Sequence, residues 1–144
     1  MEFNHCAFRV YRDHFEMVVS LFTEDLDFRV LRRKGSVVWM RQGGASVDLQ
    51  LSASDTKPET QELDTLELKR KDHRDICDKS RSQIAFLSDH PEEDLQHLAA
   101  KLERMGYRAF VLGFSNVEFF LDVPDVFVDF VIETMRPECA EYDE

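Results

Sequence analysis

The sequence predicts an α+β fold built from two tandem β-α-β-β-β units, with a helix outside each half. Three observations carry this. Short alternating apolar runs mark strands, two i, i+3, i+4, i+7 stripes mark amphipathic helices, and the element order occurs twice at a nearly constant spacing. The first strands align as His5-Cys6-Ala7-Phe8 on Gln83-Ile84-Ala85-Phe86, an offset of 78. The helix stripes Phe15, Val18, Val19, Phe22 and Leu95, Leu98, Ala99, Leu102 are offset by 80, and Val47-Asp48-Leu49 and Val128-Asp129-Phe130 by 81. An offset that drifts by so little describes a duplicated unit with small turn insertions.

The elements follow in order. Asn4–Val10 alternates as a strand, and Asp13 caps a helix whose apolar stripe runs from Phe15 to Leu26. Phe28–Leu31 and Ser36–Arg41 form strands around Lys34-Gly35, and Gly43-Gly44 leads into a strand at Ser46–Leu51. Residues 53–80 carry 14 charged side chains in 28 positions and read as a solvated connector, with room for a short helix. Gln83–Leu87 is again a strand. Pro91 opens the second helix, Glu92 and Glu93 suit its positive end, and Gly106 suits the position past its end. Strands at Tyr107–Leu112, Val117–Leu121 and Phe127–Glu133 complete the second unit. The expected organisation is one domain over 1–144, with units at 1–52 and 81–136, the connector at 53–80 and an acidic tail at 137–144.

Composition narrows the function. Eighteen basic against 29 acidic residues give a net charge of −11, which repels phosphate backbones and argues against a nucleic-acid partner. No apolar run is long enough to span a bilayer. The N-terminal residues lack a basic cluster followed by an apolar stretch, so no secretory signal is expected. Cys6, Cys77 and Cys139 are odd in number and contain no C-x-x-C pair, which fits free thiols in a reducing cytoplasm. Two local patterns in the connector are weak. Lys69-Arg70-Lys71 is a small basic run that solvation alone explains, and His73 with Cys77 at i, i+4 supplies only two metal ligands.

Strand alternation decides which side chains share a face. With Cys6, Phe8 and Val10 under the helix, His5, Ala7 and Arg9 face the other way. The same reasoning leaves Asp48 opposite Leu49, Gln83 opposite Ile84, and Asp129 opposite Phe130. His5, Asp48, Gln83 and Asp129 are therefore equivalent positions of the duplicated units, all on the face away from the helices, and all four residue types can bind a metal. The alternative is a strand face open to solvent, where polar residues occur anyway.

The chain resembles the vicinal-oxygen-chelate superfamily, which includes glyoxalase I, bleomycin-resistance proteins, fosfomycin-resistance enzymes and extradiol dioxygenases. The resemblance rests on "NHCAFRV", "LFTEDLDFRVLRR", "QIAFL…EEDLQHLAAKLERMGYRA" and "FFLDVPDVFVDFVIE" in that order, and covers about residues 3–52 and 81–134. It implies one eight-stranded curved mixed sheet forming a cup, completed in a homodimer. It also implies a single divalent metal, Ni²⁺, Mn²⁺, Co²⁺ or Zn²⁺, on His5, Asp48, Gln83 and Asp129, with no organic cofactor.

By the same resemblance Asp129 is the proton-moving carboxylate and Arg9 holds an anionic part of a small substrate. The sequence departs from the family pattern at both carboxylates, which are one methylene shorter, at Gln83, where His is common, and at Val126, which replaces a turn glycine. The implied activity is a metal-dependent lyase or isomerase acting next to a carbonyl. The alternative is a metal-free protein that binds a drug or metabolite in a cup lined by Trp39, Phe119 and Phe127.

Overall fold

The computed structural model describes residues 1–70 and 78–141, and divides the chain into two compact units, Met1–Lys57 and Pro58–Glu144. Lys71, His73 and Cys77 lie outside the described residues, as do the last three residues of the acidic tail.

The first unit is β1 (His5–Tyr11), α1 (Phe15–Ser20), β2 (Phe28–Lys34), β3 (Val37–Gln42) and β4 (Asp48–Ser54). Its sheet has the order β1-β4-β3-β2, with β1 and β4 parallel and the other pairs antiparallel. The α1 helix continues as a π-helical turn over Leu21–Asp25. Phe15, Val18, Val19, Leu21 and Phe22 are buried there, and Phe22 meets Phe28 edge-on at 5.3 Å between ring centroids. Val10, Val38, Met40, Leu49 and Leu51 supply the buried side of the sheet. Each fully buried side chain of this size contributes about 1.5–3 kcal/mol, enough in sum to hold a small unit around one helix.

The second unit begins with a connector that is not uniformly solvated. It contains α2 (Thr65–Arg70), and Pro58, Thr60, Leu68, Lys79 and Ser80 are buried. Thr60 Oγ1 donates to the Pro124 carbonyl at 3.2 Å. Arg108 grips Asp125 through Nε and Nη2, at 2.9 and 2.7 Å, and donates from its Nη atoms to the carbonyls of Leu63 and Gln61. Lys79 Nζ lies 2.6 Å from Asp122 Oδ1 and donates to the Phe127 carbonyl at 2.8 Å, with both charged side chains almost wholly buried. The charge density that reads as solvation in the sequence is here partly internal pairing. A buried charge is tolerated only with such a partner.

The duplicated order follows, with β5 (Gln83–Leu87), α3 (Pro91–Arg104), β6 (Phe110–Gly113), β7 (Glu118–Asp122) and β8 (Val131–Met135) in the sheet order β5-β8-β7-β6. Pro91 stands in the first turn of α3 with Glu92, Glu93 and Asp94, and Leu95, Leu98, Ala99 and Leu102 form its buried stripe. Gly106, at φ +94°, takes the left-handed conformation that ends the helix, where a β-carbon would be strained.

The tandem α+β units are as expected, and each closes a four-stranded mixed sheet. Three strands begin two or more residues later than their apolar patterns suggest: β4 at Asp48 instead of Ser46, β6 at Phe110 instead of Tyr107, and β8 at Val131 instead of Phe127.

Candidate functional site: the strand faces away from the helices

In the first unit, His5 and Asp48 are direct partners across the parallel β1/β4 pair, so both side chains leave the sheet on one side. Ala7, Arg9, Gln50 and Ser52 continue that face along the same two strands. Trp39 is paired with Gln50, which places its half-buried indole there too. Arg32, shifted into register with Trp39 by an irregularity after Val30, lays its guanidinium over the indole with Cζ 5.1 Å from the ring centroid. The opposite side of β2 is tied to the helix, where Arg33 pairs with Glu16 and its guanidinium lies over Phe15.

Each predicted metal-ligating side chain has a definite local commitment. His5 is exposed, and its Nδ1 lies 2.9 Å from Asn4 Oδ1, which leaves Nε2 open. Asp48 is engaged by Arg41, whose Nε donates to Oδ1 at 2.6 Å, and only 12% of the Asp48 side chain is exposed. Gln83 donates from Nε2 to the Ser80 carbonyl at 2.7 Å, which commits its amide nitrogen and leaves the amide oxygen as the atom able to ligate an ion.

Asp129 lies two residues before β8, outside the ladder. The residue opposite Gln83 is Val131, and the carboxylate that shares Gln83's face is Glu133, opposite Ala85. Burial, with Glu118 close by, raises the Glu133 carboxyl above its ordinary value. Nothing in the sequence separates Glu133 from Asp129, because the two are four residues apart and share the parity of the strand.

The donor set therefore fits a metal only in part. The imidazole of His5 and the amide oxygen of Gln83 are suitable donors, whereas Asp48 is already neutralised by a guanidinium and Asp129 is not on the strand that would aim it. Within each unit, among the described residues, no group of three or more His, Cys, Asp or Glu side chains stands ready to hold an ion.

The three aromatic candidates separate. Trp39 is on the face away from the helix. Phe119 is not: it pairs with Thr134, whose hydroxyl donates to the Pro91 carbonyl at the start of α3, so its ring belongs to the core on the helix side. Phe127 is fully buried in the turn before β8 and stacked on Phe130 at 4.4 Å. Arg9 is exposed on the His5 face, with Nη1 3.5 Å from Thr56 Oγ1. The second unit also carries an open groove of about 340 Å³ against α2 and the end of α3, but no residue singled out from the strand faces lines it.

No known sequence family and no curated protein matches the chain by sequence. Solved structures do. A fosfomycin resistance protein, FosX, from Mesorhizobium loti superposes with a TM-score of 0.53 at 13% identity, covering 94% of this chain and 91% of that one. The lactoylglutathione lyase of Agrobacterium tumefaciens gives 0.52 at 12% identity, over 99% of this chain and 98% of the other. The chain has the vicinal-oxygen-chelate fold. A third structure of that fold, the bleomycin-binding protein of Streptomyces verticillus complexed with copper(II)-bleomycin, matches at a TM-score of 0.50 and 14% identity, covering 94% of this chain and 96% of that chain. At such identities the vicinal-oxygen-chelate likeness establishes the architecture, and the chemistry has to be argued from this chain's own residues. No helix among the described residues is long and apolar enough to cross a membrane.

Proposed function

We propose that this chain binds a small organic molecule without a metal, on the strand faces turned away from the helices. The observation that carries the reading is the Arg41–Asp48 ion pair at 2.6 Å, because the guanidinium supplies to Asp48 the positive charge that a divalent ion would otherwise bring. A metal at that position would have to displace a partly buried, charge-assisted hydrogen bond before it gained a ligand. A bleomycin-binding protein of the same fold, solved with copper(II)-bleomycin, is in keeping with this reading.

A second reading has an observation of its own. His5 and Asp48 are direct strand partners, the placement that a metal-dependent lyase or isomerase acting next to a carbonyl would use, with Gln83 and Asp129 as the other ligands. That reading requires Asp48 to leave Arg41 and Asp129 to be drawn towards the position facing Gln83. The lactoylglutathione lyase of the same fold is its counterpart among solved structures.

Elemental analysis of the protein as purified separates the two. The binding reading expects well under about 0.1 equivalent of Ni, Mn, Co or Zn per chain, whereas a near-stoichiometric ion that disappears in Asp48→Ala would overturn it. We further propose a cytoplasmic homodimer, in keeping with the unbridged thiols of Cys6 and Cys139 and with exposed strand edges that dimerisation would cover. Light scattering on the same preparation should give about twice the 16.9 kDa chain mass, and a monomer mass at micromolar concentration would contradict it.

A further inference from the structure

The charges of the molecule are sorted by unit and by face. Residues 1–57 contain eight basic and eight acidic side chains, whereas 58–144 contain ten basic and 21 acidic, so the whole excess of −11 belongs to the second unit. In the first unit the strand registers put Arg9, Arg29, Arg32, Lys34 and Arg41 on the face away from α1, against the single carboxylate of Asp48.

The arginines off that face are paired: Arg33 with Glu16 beside the helix, and Arg12 with Asp55 in the loops. Among the described residues Arg29, Arg32 and Lys34 have no carboxylate partner. Arg41 is held at Nε by Asp48, and its two terminal nitrogens make no other hydrogen bond among the described residues. Trp39 stands among these cations with Arg32 stacked on it.

We infer that this face is a platform for a planar organic anion, a conjugated or aromatic carboxylate. The inference deepens the proposed function and rests on it. An ammonium-rich patch would suit any anion, but guanidinia fixed by a carboxylate or by an indole present coplanar N–H groups in a set direction, which matches the flat fork of a carboxylate. The Trp39–Arg32 stack offers a flat surface of cation and ring, to which a conjugated body adds by further stacking.

Trp39 is the only tryptophan of the chain, so its indole N–H gives one assignable cross-peak in a ¹H–¹⁵N spectrum. Titration of the full-length protein with 2-naphthoate should move that peak saturably, and the neutral 2-naphthamide should need at least about tenfold more ligand for the same shift. Arg32→Gln and Arg41→Gln should each weaken the naphthoate response by about tenfold. Arg32 lies on an exposed edge strand, so its variant keeps the test valid if loss of Arg41 disturbs the fold.

Equal responses to acid and amide, or a naphthoate response indifferent to both substitutions, would overturn the inference and leave metal-free binding standing. A Trp39 peak that naphthoate does not move, while other peaks shift, would do the same. Stoichiometric metal in the purified protein would instead remove the reading on which the inference depends.

Discussion

Lys79→Met should cost about 3–5 kcal/mol of stability, because it strips the paired cation from a carboxylate held inside the second unit. Lys79 and Asp122 are 2% and 1% exposed at their side chains, and their charged atoms lie 2.6 Å apart. The substitution also removes the donor to the Phe127 carbonyl, a loss of about 1 kcal/mol by itself.

The cost should depend on pH in a definite sense. Burial already pushes Asp122 above its ordinary value while Lys79 pulls it back, so without Lys79 the upward push is opposed only by the weaker effects of the Val123 backbone and Arg108. A carboxyl whose folded-state pKa exceeds its unfolded one binds its proton more tightly when folded, so stability is lost as pH rises between the two values. The variant should therefore come nearest to the wild type in acid and fall furthest behind it at neutral pH. In the double variant Lys79→Met/Asp122→Leu most of the loss should be recovered, since neither charge remains to be desolvated. Urea melts of the three proteins at pH 4 and pH 7 check all of this. A single variant as stable as the wild type at pH 7 would contradict it.

Arg108→Ala should cost about 2–3 kcal/mol, the second largest effect expected of a surface-reaching side chain. It forms a two-point pair with Asp125 in the turn after β7 and also donates to the carbonyls of Gln61 and Leu63 in the connector. One side chain thus fastens residues 61–63 to a turn about sixty positions away in sequence. The loss should be local as well as global. Amide exchange over 60–68 should accelerate more than exchange in β5 or α3, and Arg108→Lys should restore little, because an ammonium cannot reproduce the fork. Uniform acceleration over the whole second unit would show that Arg108 does not act as this fastening.

These two clusters mark where sequence reading stopped. Half of the residues from 53 to 80 are charged, and density alone cannot tell a solvated lysine from Lys79, whose partner lies 43 positions away. The duplicated units were legible because apolar periodicity survives solvation, turn length and substitution, and the helix stripes are buried over Phe15–Phe22 and Leu95–Leu102, though not at Leu26 or Met105.

The candidate site was legible only to the face. Val128, Phe130 and Ile132 alternate as a strand would, yet the ladder begins at Val131. Residues 123–127 close a turn, with the Val126 and Phe127 amides donating to the Val123 carbonyl. A shift of two residues preserves which side every residue faces, so no count of periodicity detects it. It nevertheless exchanges Asp129 for Val131 opposite Gln83 and leaves Glu133 as the carboxylate of that face within the ladder. Arg41 was missed for a different reason: an arginine at a strand end reads as solvent-facing until the register sets it beside Asp48.

The central claim is that Asp48 is committed to Arg41 and that the strand faces bind their ligand without a metal. Thermal melts with and without Ni²⁺, Mn²⁺ and Zn²⁺ test it most directly, run on the wild type and on Asp48→Ala. An ion binding the native state at 100 times its dissociation constant would add about 2.7 kcal/mol, a rise of several degrees for a chain of this size. The account predicts no rise with any of the three ions in either protein. A rise of that size in the wild type, lost in Asp48→Ala, would contradict it and establish the strand partners His5 and Asp48 as the start of a metal centre.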